Sequence, residues 1–380
     1  MRVLQVHNKY QFEGGEDTVV QNEYNLLKSQ GMTVEQLFFE NKAINPLQLI
    51  HNNESAAMLR KKVTDFKPDV IHVHNVFYTA TPSVLYEAKN LGIPVVMTLH
   101  NYRLICPNAL FLREGNICTK CLGKSFSYPA IQHRCFKDSA VKSAALTGSL
   151  YTHHVKNSWD KNVAKFIVLT PFAKKLFIDS TVKISSEKIV VKPNSTDSNE
   201  GDVISSEKRK GYLFVGRLSE EKGVTTLIEG FNKLPDISLE VIGEGPLAEA
   251  LQKNANSNIR FLGKQPFSVV KEKLRHGKAL VFSSLIYEGL PNTIIEAFAA
   301  GTPVIASNVD NINTIVSDHQ NGRLFTTGAS EALAQTVSDF DRNNSNELYA
   351  NALQTFQMNY THDQNFKALI QLYNEVTSKQ

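Results

Sequence analysis

Two hydrophobic rhythms alternate along the chain. Short, nearly continuous apolar runs rich in Val, Ile and Phe are followed by stretches whose apolar positions recur at helical spacing. In the first half the runs are RVLQVHN (2–8), DVIHVHN (69–75), PVVMTLHN (94–101), KFIVLT (165–170) and KIVVKPN (188–194). In the second half they are GYLFVGRL (211–218), ISLEVIGEG (237–245), IRFLGK (259–264), ALVFSSL (279–285) and TPVIASN (302–308). Strands covered by helices on both faces read this way. Several runs close on a polar residue or glycine: His7-Asn8, His74-Asn75, His100-Asn101, Gly216-Arg217 and Gly243-Glu244. In open parallel sheets that edge is where ligands bind.

Between the two sets lies NSTDSNEGDVISSEKRK (194–210), almost without apolar residues, which reads as an exposed linker. The expected architecture is α/β: two Rossmann-like domains facing across a cleft, which is the expected active site. Residues 1–193 form the first domain and 211–360 the second. Residues 361–380 carry an amphipathic helix (about 363–376) that crosses back to the first domain. A length of 380 residues suits two cores. A hydrophobic content of 42% with 21% charged residues excludes fibrous and disordered classes. The net charge of +4 is too mild to argue for a nucleic-acid partner. No apolar run is long enough to span a membrane. The opening MRVLQVHNKY is too short in apolar residues for a secretory leader, so a cytoplasmic location is expected.

Candidate chemistry gathers at the strand ends. In VGRLSEEKG (215–223), Gly216 lets the backbone turn and a ligand approach. Arg217 offers a planar fork for phosphate oxygens and Lys222 a point charge. The plainer reading makes both surface cations paired with Glu220 and Glu221. In EGLPNTIIEAFAAGTPVIAS, Asn292 reads as a helix N-cap with Glu296 in the first full turn beyond it and Glu288 in the loop before. A helix start is an anion site, and carboxylates on either side of it accept from sugar hydroxyls, as a nucleoside diphosphate sugar would require. The plainer reading is capping and surface charge. Gly14-Gly15 between strand one and a helix suits a backbone contact to phosphate or sugar, or a tight turn. His100 ends an apolar strand. His72 and His74 are assigned to opposite faces of their strand, His74 toward the cleft and His72 in the core.

The segments EGGEDTVV, TLHN, FVGRLSEEKG and EGLPNTIIEAFAAGTPVIAS together resemble the GT4 family of retaining glycosyltransferases, with the GT-B fold, over nearly the whole chain. The resemblance implies a nucleotide-sugar donor, UDP-sugar by default, and a glycan, lipid-linked or cell-surface polysaccharide acceptor. It implies that Arg217 and Lys222 hold the diphosphate, Glu296 the ribose and Glu288 the transferred sugar. The backbone of Gly289, Leu290, Pro291 and Asn292 meets phosphate and sugar. Leu262, in the loop FLGKQP (261–266), reads the base. Gly216, with Gly14 and Gly15 from the first domain, approaches the donor, and His100 stands beside the sugar. Two motifs depart from the family: Ser195 replaces the usual glycine in PNSTD (193–197), and His100-Asn101 stands where His-Asp is common.

Charge developing on the diphosphate leaving group would be stabilised by Arg217, Lys222 and the helix start. No divalent metal or other cofactor is then needed for catalysis, and same-face attack would retain configuration. Glu288 is not expected to be a covalent nucleophile. Two rivals stand beside this reading: a sugar-nucleotide epimerase of related fold, and a non-catalytic sugar-nucleotide-binding partner protein.

All four cysteines, Cys106, Cys118, Cys121 and Cys135, fall in an insert at about 102–140, spaced C-x11-C-x2-C-x13-C. The spacing permits a structural zinc site, with His133 as a substitute ligand, or reduced thiols; a disulfide fits a cytoplasmic protein least. Residues 120–175 are strongly basic, with Phe126, Tyr128 and Trp159 interspersed. This suits either an anionic membrane face, placing the protein peripherally on the inner side, or a solvated surface.

Overall fold

The structure, a computed structural model, describes residues 1–9, 14–42, 45–198, 204–343 and 345–378. The chain divides into two compact units. The first comprises Met1–Phe111, Cys118–Asn194 and Asp363–Gln380, the second Leu112–Ile117 and Ser195–His362.

The first unit is built on strands β1 (Arg2–Asn8), β2 (Thr33–Phe39), β3 (Val70–Asn75) and β4 (Val95–Leu99). A small antiparallel hairpin, β5 (Leu112–Arg113) with β6 (Asn116–Ile117), interrupts the series before β7 (Lys165–Val168) and β8 (Ile189–Val191). The large sheet is parallel, in the order β2-β1-β3-β4-β7-β8. Val3, Val34, Val70, Val96 and Ile167 of the sheet pack with Leu369, Leu372, Tyr373 and Val376. Those four belong to the final helix, His362–Thr377, whose apolar stripe therefore completes the first core.

In the second unit, β9 (Tyr212–Val215), β10 (Leu239–Ile242), β11 (Ile259–Gly263), β12 (Ala279–Phe282), β13 (Val304–Ser307) and β14 (Gly322–Phe325) form a parallel sheet. Their order is β11-β10-β9-β12-β13-β14. This is the doubly wound nucleotide-binding order, reversing between its first and fourth strands. Phe214, Val241, Val281 and Ile305 pack with Leu227, Phe231, Leu333 and Phe340 from the flanking helices.

The ten expected strands all form, most of them one to several residues shorter than the apolar runs. The pattern did not reveal β2, β14 or the small hairpin. Both β2 and β14 are edge strands. Most residues of TVEQLFF are only part-buried, so it tolerates Glu35 and Gln36 and loses the continuous apolar signature.

The expected exposed linker needs correction at its described ends; residues 199–203 lie outside the described residues. Asn194, Thr196 and Arg209 are buried. Arg209 donates through Nη2 to Ala300 O (3.0 Å), and through Nη1 to Thr302 Oγ1 (2.6 Å) and Gly277 O (3.2 Å). Its guanidinium lies 4.7 Å from the Tyr349 ring centroid. A cation thus meets the C-terminal carbonyls of the helix Asn292–Ala299, where the helix dipole is negative. Low hydrophobicity had suggested exposure; satisfied hydrogen bonds made burial tolerable instead. Among the described residues no helix is long and apolar enough to cross a membrane.

Candidate functional site

In the second unit the sheet order reverses between β9 and β12, and the loops leaving those strands lie against each other. The chain leaves β9 through Gly216 and the exposed Arg217, then makes a short turn, Glu220–Lys222. Gly223 follows with φ +63°; a Cβ there would lie 1.9 Å from Ser283 O, so only glycine admits the contact. Gly243, after β10, is as tight: its Cβ would meet Gly216 O at 1.8 Å. Ser283 Oγ donates to Lys222 O (2.8 Å), and Leu285 N to Glu221 O (2.9 Å).

This packing brings Lys222 Nζ to 2.6 Å from Glu288 Oε1, and Ser284 Oγ donates to the same oxygen at 2.7 Å. Asn311 Nδ2 donates to Glu288 O (2.6 Å), which fixes the loop carrying the carboxylate. The plain pairing of Lys222 with Glu220 or Glu221 is therefore not what forms; Glu221 accepts from Ser219 Oγ (2.6 Å) instead. Gly289, Leu290 and Pro291 connect this loop to the helix Asn292–Ala299.

Two expectations are corrected here. Asn292 is the first helical residue, not the cap; Pro291 is the cap, with φ −67°, and no side-chain cap hydrogen bond forms. Pro cannot continue a preceding helical hydrogen-bond ladder, so its fixed φ sets the helix start one residue early. Glu296 consequently lies just beyond the first turn, where burial pushes its carboxyl up to about 7. Leu262 lies within β11 rather than in a loop, and its carbonyl accepts from Gln265 Nε2.

In the first unit the order reverses between β1 and β3. Gly15 opens the helix Gly15–Ser29 and Gly14 caps it, its N–H donating to Asp17 Oδ2 (2.9 Å). Glu13, the first residue of EGGEDTVV, lies outside the described residues. Asp17 Oδ1 sits 2.9 Å from Nε2 of the buried His7. Burial raises the Asp17 carboxyl, but the hydrogen bonds from His7 and Gly14 outweigh it and the net shift is downward.

His72 and His74 do not point to opposite faces. Side chains two apart on a strand share a face, and the rings lie 4.2 Å apart, both buried. Both turn to Glu23: His72 Nδ1 is 2.9 Å and His74 Nε2 3.3 Å from Glu23 Oε1. Gln5 Nε2 donates to the same oxygen (3.2 Å), and Lys192 Nζ stands 3.4 Å from Oε2. His72 Nε2 meets Thr98 Oγ1 (2.8 Å), and His74 Nδ1 lies 3.1 Å from Nε2 of the half-buried His100. Burial pushes the His74 ring down to about 3 and His100 well below the usual histidine range. Glu23 and Lys192 were missed in the sequence. The available signal was a carboxylate at helical spacing among the buried Val20, Leu26 and Leu27.

The cysteines are free thiols, Cys106 and Cys121 buried. Burial pushes Cys106 up to about 12, with Cys121 and Cys135 adding to the rise. The thiols share one neighbourhood, yet three sulfurs do not gather at metal spacing. Among the described residues the one group of three metal-capable side chains within 4.8 Å is Glu23, His72 and His74, where the Lys192 ammonium already supplies the positive charge. Trp159 leaves the expected basic aromatic face: it is buried at 2% exposure against Phe77 and His153. Phe126 and Tyr128 are exposed, and Val141, Tyr151 and Val155 of the helix Ala140–Lys156 join them.

The two parallel sheets, with 3-2-1-4-5-6 order in the second, define a doubly wound α/β class. Comparison with solved structures gives the GT-B fold. Sucrose-phosphate synthase from Thermosynechococcus elongatus superposes with a TM-score of 0.73 at 16% identity, over 100% of both chains. Anabaena HepE, solved in complex with UDP and glucose, gives 0.68 at 16% identity, over 99% of this chain and 100% of that one. The sequence model "Glycosyl transferases group 1" matches residues 196–354 and "Glycosyltransferase Family 4" residues 38–200. An uncharacterized glycosyltransferase of Methanocaldococcus jannaschii is 33% identical over 72% of this chain, which spans 64% of that relative's length. The putative teichuronic acid biosynthesis glycosyltransferase TuaC of Bacillus subtilis is 26% identical over 85% of this chain and 75% of that protein. The chain belongs to the group 1 (GT4) glycosyltransferase family.

Proposed function

We propose that the protein transfers a sugar from a nucleotide diphosphate donor, UDP-sugar first, to a glycan, lipid-linked or cell-surface polysaccharide acceptor, with retention of configuration. The observation that carries this is the Lys222–Glu288 pair at the reversal point of the second sheet, held between glycine-tight loops. A donor diphosphate would take Lys222 and Arg217, releasing Glu288 to accept from hydroxyls of the transferred sugar. The start of the helix Asn292–Ala299, without a side-chain cap, faces the same charge. Glu296, raised by burial, would recover hydrogen-bond donors from a ribose diol. These groups stabilise the leaving diphosphate without a metal, each charge-assisted hydrogen bond contributing about 1.5–3 kcal/mol. HepE, with UDP and glucose bound in its solved structure, supports the donor class.

The test is thermal-shift screening with UDP-, GDP- and ADP-sugars, followed by nucleotide release and product anomer analysis with and without chelator. An inverted anomer would overturn retention, and activity lost on chelation would overturn metal independence. No nucleotide release from any donor would favour a binding protein.

Two accessory roles belong to the same reading. The cysteine insert holds a structural zinc on Cys106, Cys118, Cys121 and Cys135, which requires the thiols to close up around the ion and lose their protons. Stoichiometric zinc by elemental analysis supports it; background zinc ends it. The exposed Phe126, Tyr128, Val141, Tyr151 and Val155 among lysines rest on an anionic membrane surface. Equal sedimentation with neutral and anionic liposomes would refute that.

A further inference from the structure

We propose that Glu23, acting through His74, locks His100 in a single tautomer, with the proton on Nε2 and Nδ1 left as a hydrogen-bond acceptor. If the protein is the sugar transferase proposed above, the substrate group that meets His100 Nδ1 must bring a hydrogen, as a sugar hydroxyl does and an ionised carboxylate does not.

Counting protons along Glu23, His74 and His100 fixes the tautomer. Glu23 is buried and sits within 3.4 Å of the Lys192 ammonium. Burial raises its carboxyl, but His72, Lys192 and His74 outweigh that, and the net shift is well downward. Glu23 is therefore an ionised acceptor with no proton to give. His74 Nε2 lies 3.3 Å from Glu23 Oε1 without a well-aligned hydrogen bond. A bare nitrogen there would set a lone pair against a carboxylate, so Nε2 carries the proton. Burial keeps the His74 ring neutral, so its Nδ1 is bare. His100 Nε2, 3.1 Å away, must then donate to it. His100 is held neutral in the same way, so its own Nδ1 is bare.

The surroundings keep this order fixed. The His74 and His100 rings lie nearly coplanar, with centroids 5.3 Å apart and planes at 22°, and the His72 ring is tilted against His74 with centroids 4.2 Å apart. His72 Nδ1 meets Tyr373 Oη (2.7 Å) beside Glu23 Oε1, and its Nε2 meets Thr98 Oγ1, so it offers His74 no competing partner. Glu23 and His74 are positioning residues: they act on His100 and not on the reacting atoms.

The experiment is the ring-nitrogen correlation spectrum of the full chain, labelled with 15N in histidine and recorded without substrate from about pH 6 to 8. His100→Gln and His74→Asn assign the two rings. Expected is a protonated Nε2 and bare Nδ1 on both rings, with no titration in that range. A wild-type His100 protonated on Nδ1, or one that titrates there, overturns the proposal without any need for a variant. His74→Phe keeps an aromatic ring and removes the acceptor. It should turn His100 into a tautomer mixture and lower kcat roughly 10–100-fold, the range seen when a metal-ligating histidine loses its orienting partner, with the donor KM little changed. His74→Asn, whose Oδ1 replaces the Nδ1 acceptor, should restore the single tautomer. A His100 spectrum unmoved by His74→Phe would equally overturn the proposal. If the protein turns over no nucleotide sugar, the functional reading falls while the spectrum still decides the tautomer.

Discussion

Each unit holds an ion pair beside the ends of its sheet strands, and the two pairs differ in burial. In the first unit Glu23 and Lys192 are both 5% exposed and are enclosed by Gln5, His72, His74 and Asn365. In the second, Lys222 is 26% exposed and Glu288 14%. The sealed pair cannot exchange partners, because removing either leaves a charge stranded in a low dielectric. The open pair can, since water can reach Lys222 and take over from Glu288. One topology thus yields an ion pair sealed among histidines and another left open to solvent. Burial, not residue type, separates them.

The comparison can be broken most strongly at the sealed pair. Lys192→Met should destabilise the protein by about 3–5 kcal/mol, read by urea denaturation, because Glu23 loses its charged partner. A loss below about 1 kcal/mol would show the pair is not sealed. Next comes Lys222→Ala, which should lower kcat roughly 10²–10³-fold, about 2.7–4 kcal/mol, in a nucleotide-release assay. Its thermal midpoint should move little, as expected for a partly exposed pair. A large stability loss with intact turnover would reverse the roles assigned to the two pairs.

A smaller effect belongs to Glu296. Its folded-state carboxyl is raised from 4.5 to about 7, so the folded protein holds that proton more tightly than the unfolded chain does. Stability should therefore fall as pH rises from about 4.5 to 7, by about 3 kcal/mol at most. Glu296→Gln should remove this slope and be the more stable form at pH 8, while weakening donor binding. An unchanged slope in melts across that range would refute the assignment. The smallest effect is expected at the fully solvated pair Lys253–Glu249, 71% and 84% exposed. Lys253→Ala should leave both midpoint and turnover within error.

Much of this was legible in the chain. Ten strands announced themselves because a strand covered on both faces must be apolar throughout. The glycine, cation and carboxylate residues after β9 and β12 could be picked out by type, and the structure brings Lys222 and Glu288 of these segments together. Illegible were β2 and β14, whose edge positions relax the demand for apolar side chains. Also illegible was the partner of Lys222, since Glu288 lies 66 residues away and adjacent glutamates offered a nearer choice. The His72–His74 face assignment failed against the strand's own period of two.

The sequence by itself determined the two doubly wound sheets, the glycines after β9 and β10 and the identity of the charged groups at the strand ends. Those follow from local rules, namely side-chain period, backbone freedom and residue chemistry. Only the tertiary structure decided which charges are sealed and which are open. Glu23 reads as one more helix glutamate until β1, β3, β4, β8 and the final helix close around it. A side chain's desolvation, and hence its pKa, its tautomer and its freedom to change partner, is set by neighbours hundreds of residues away.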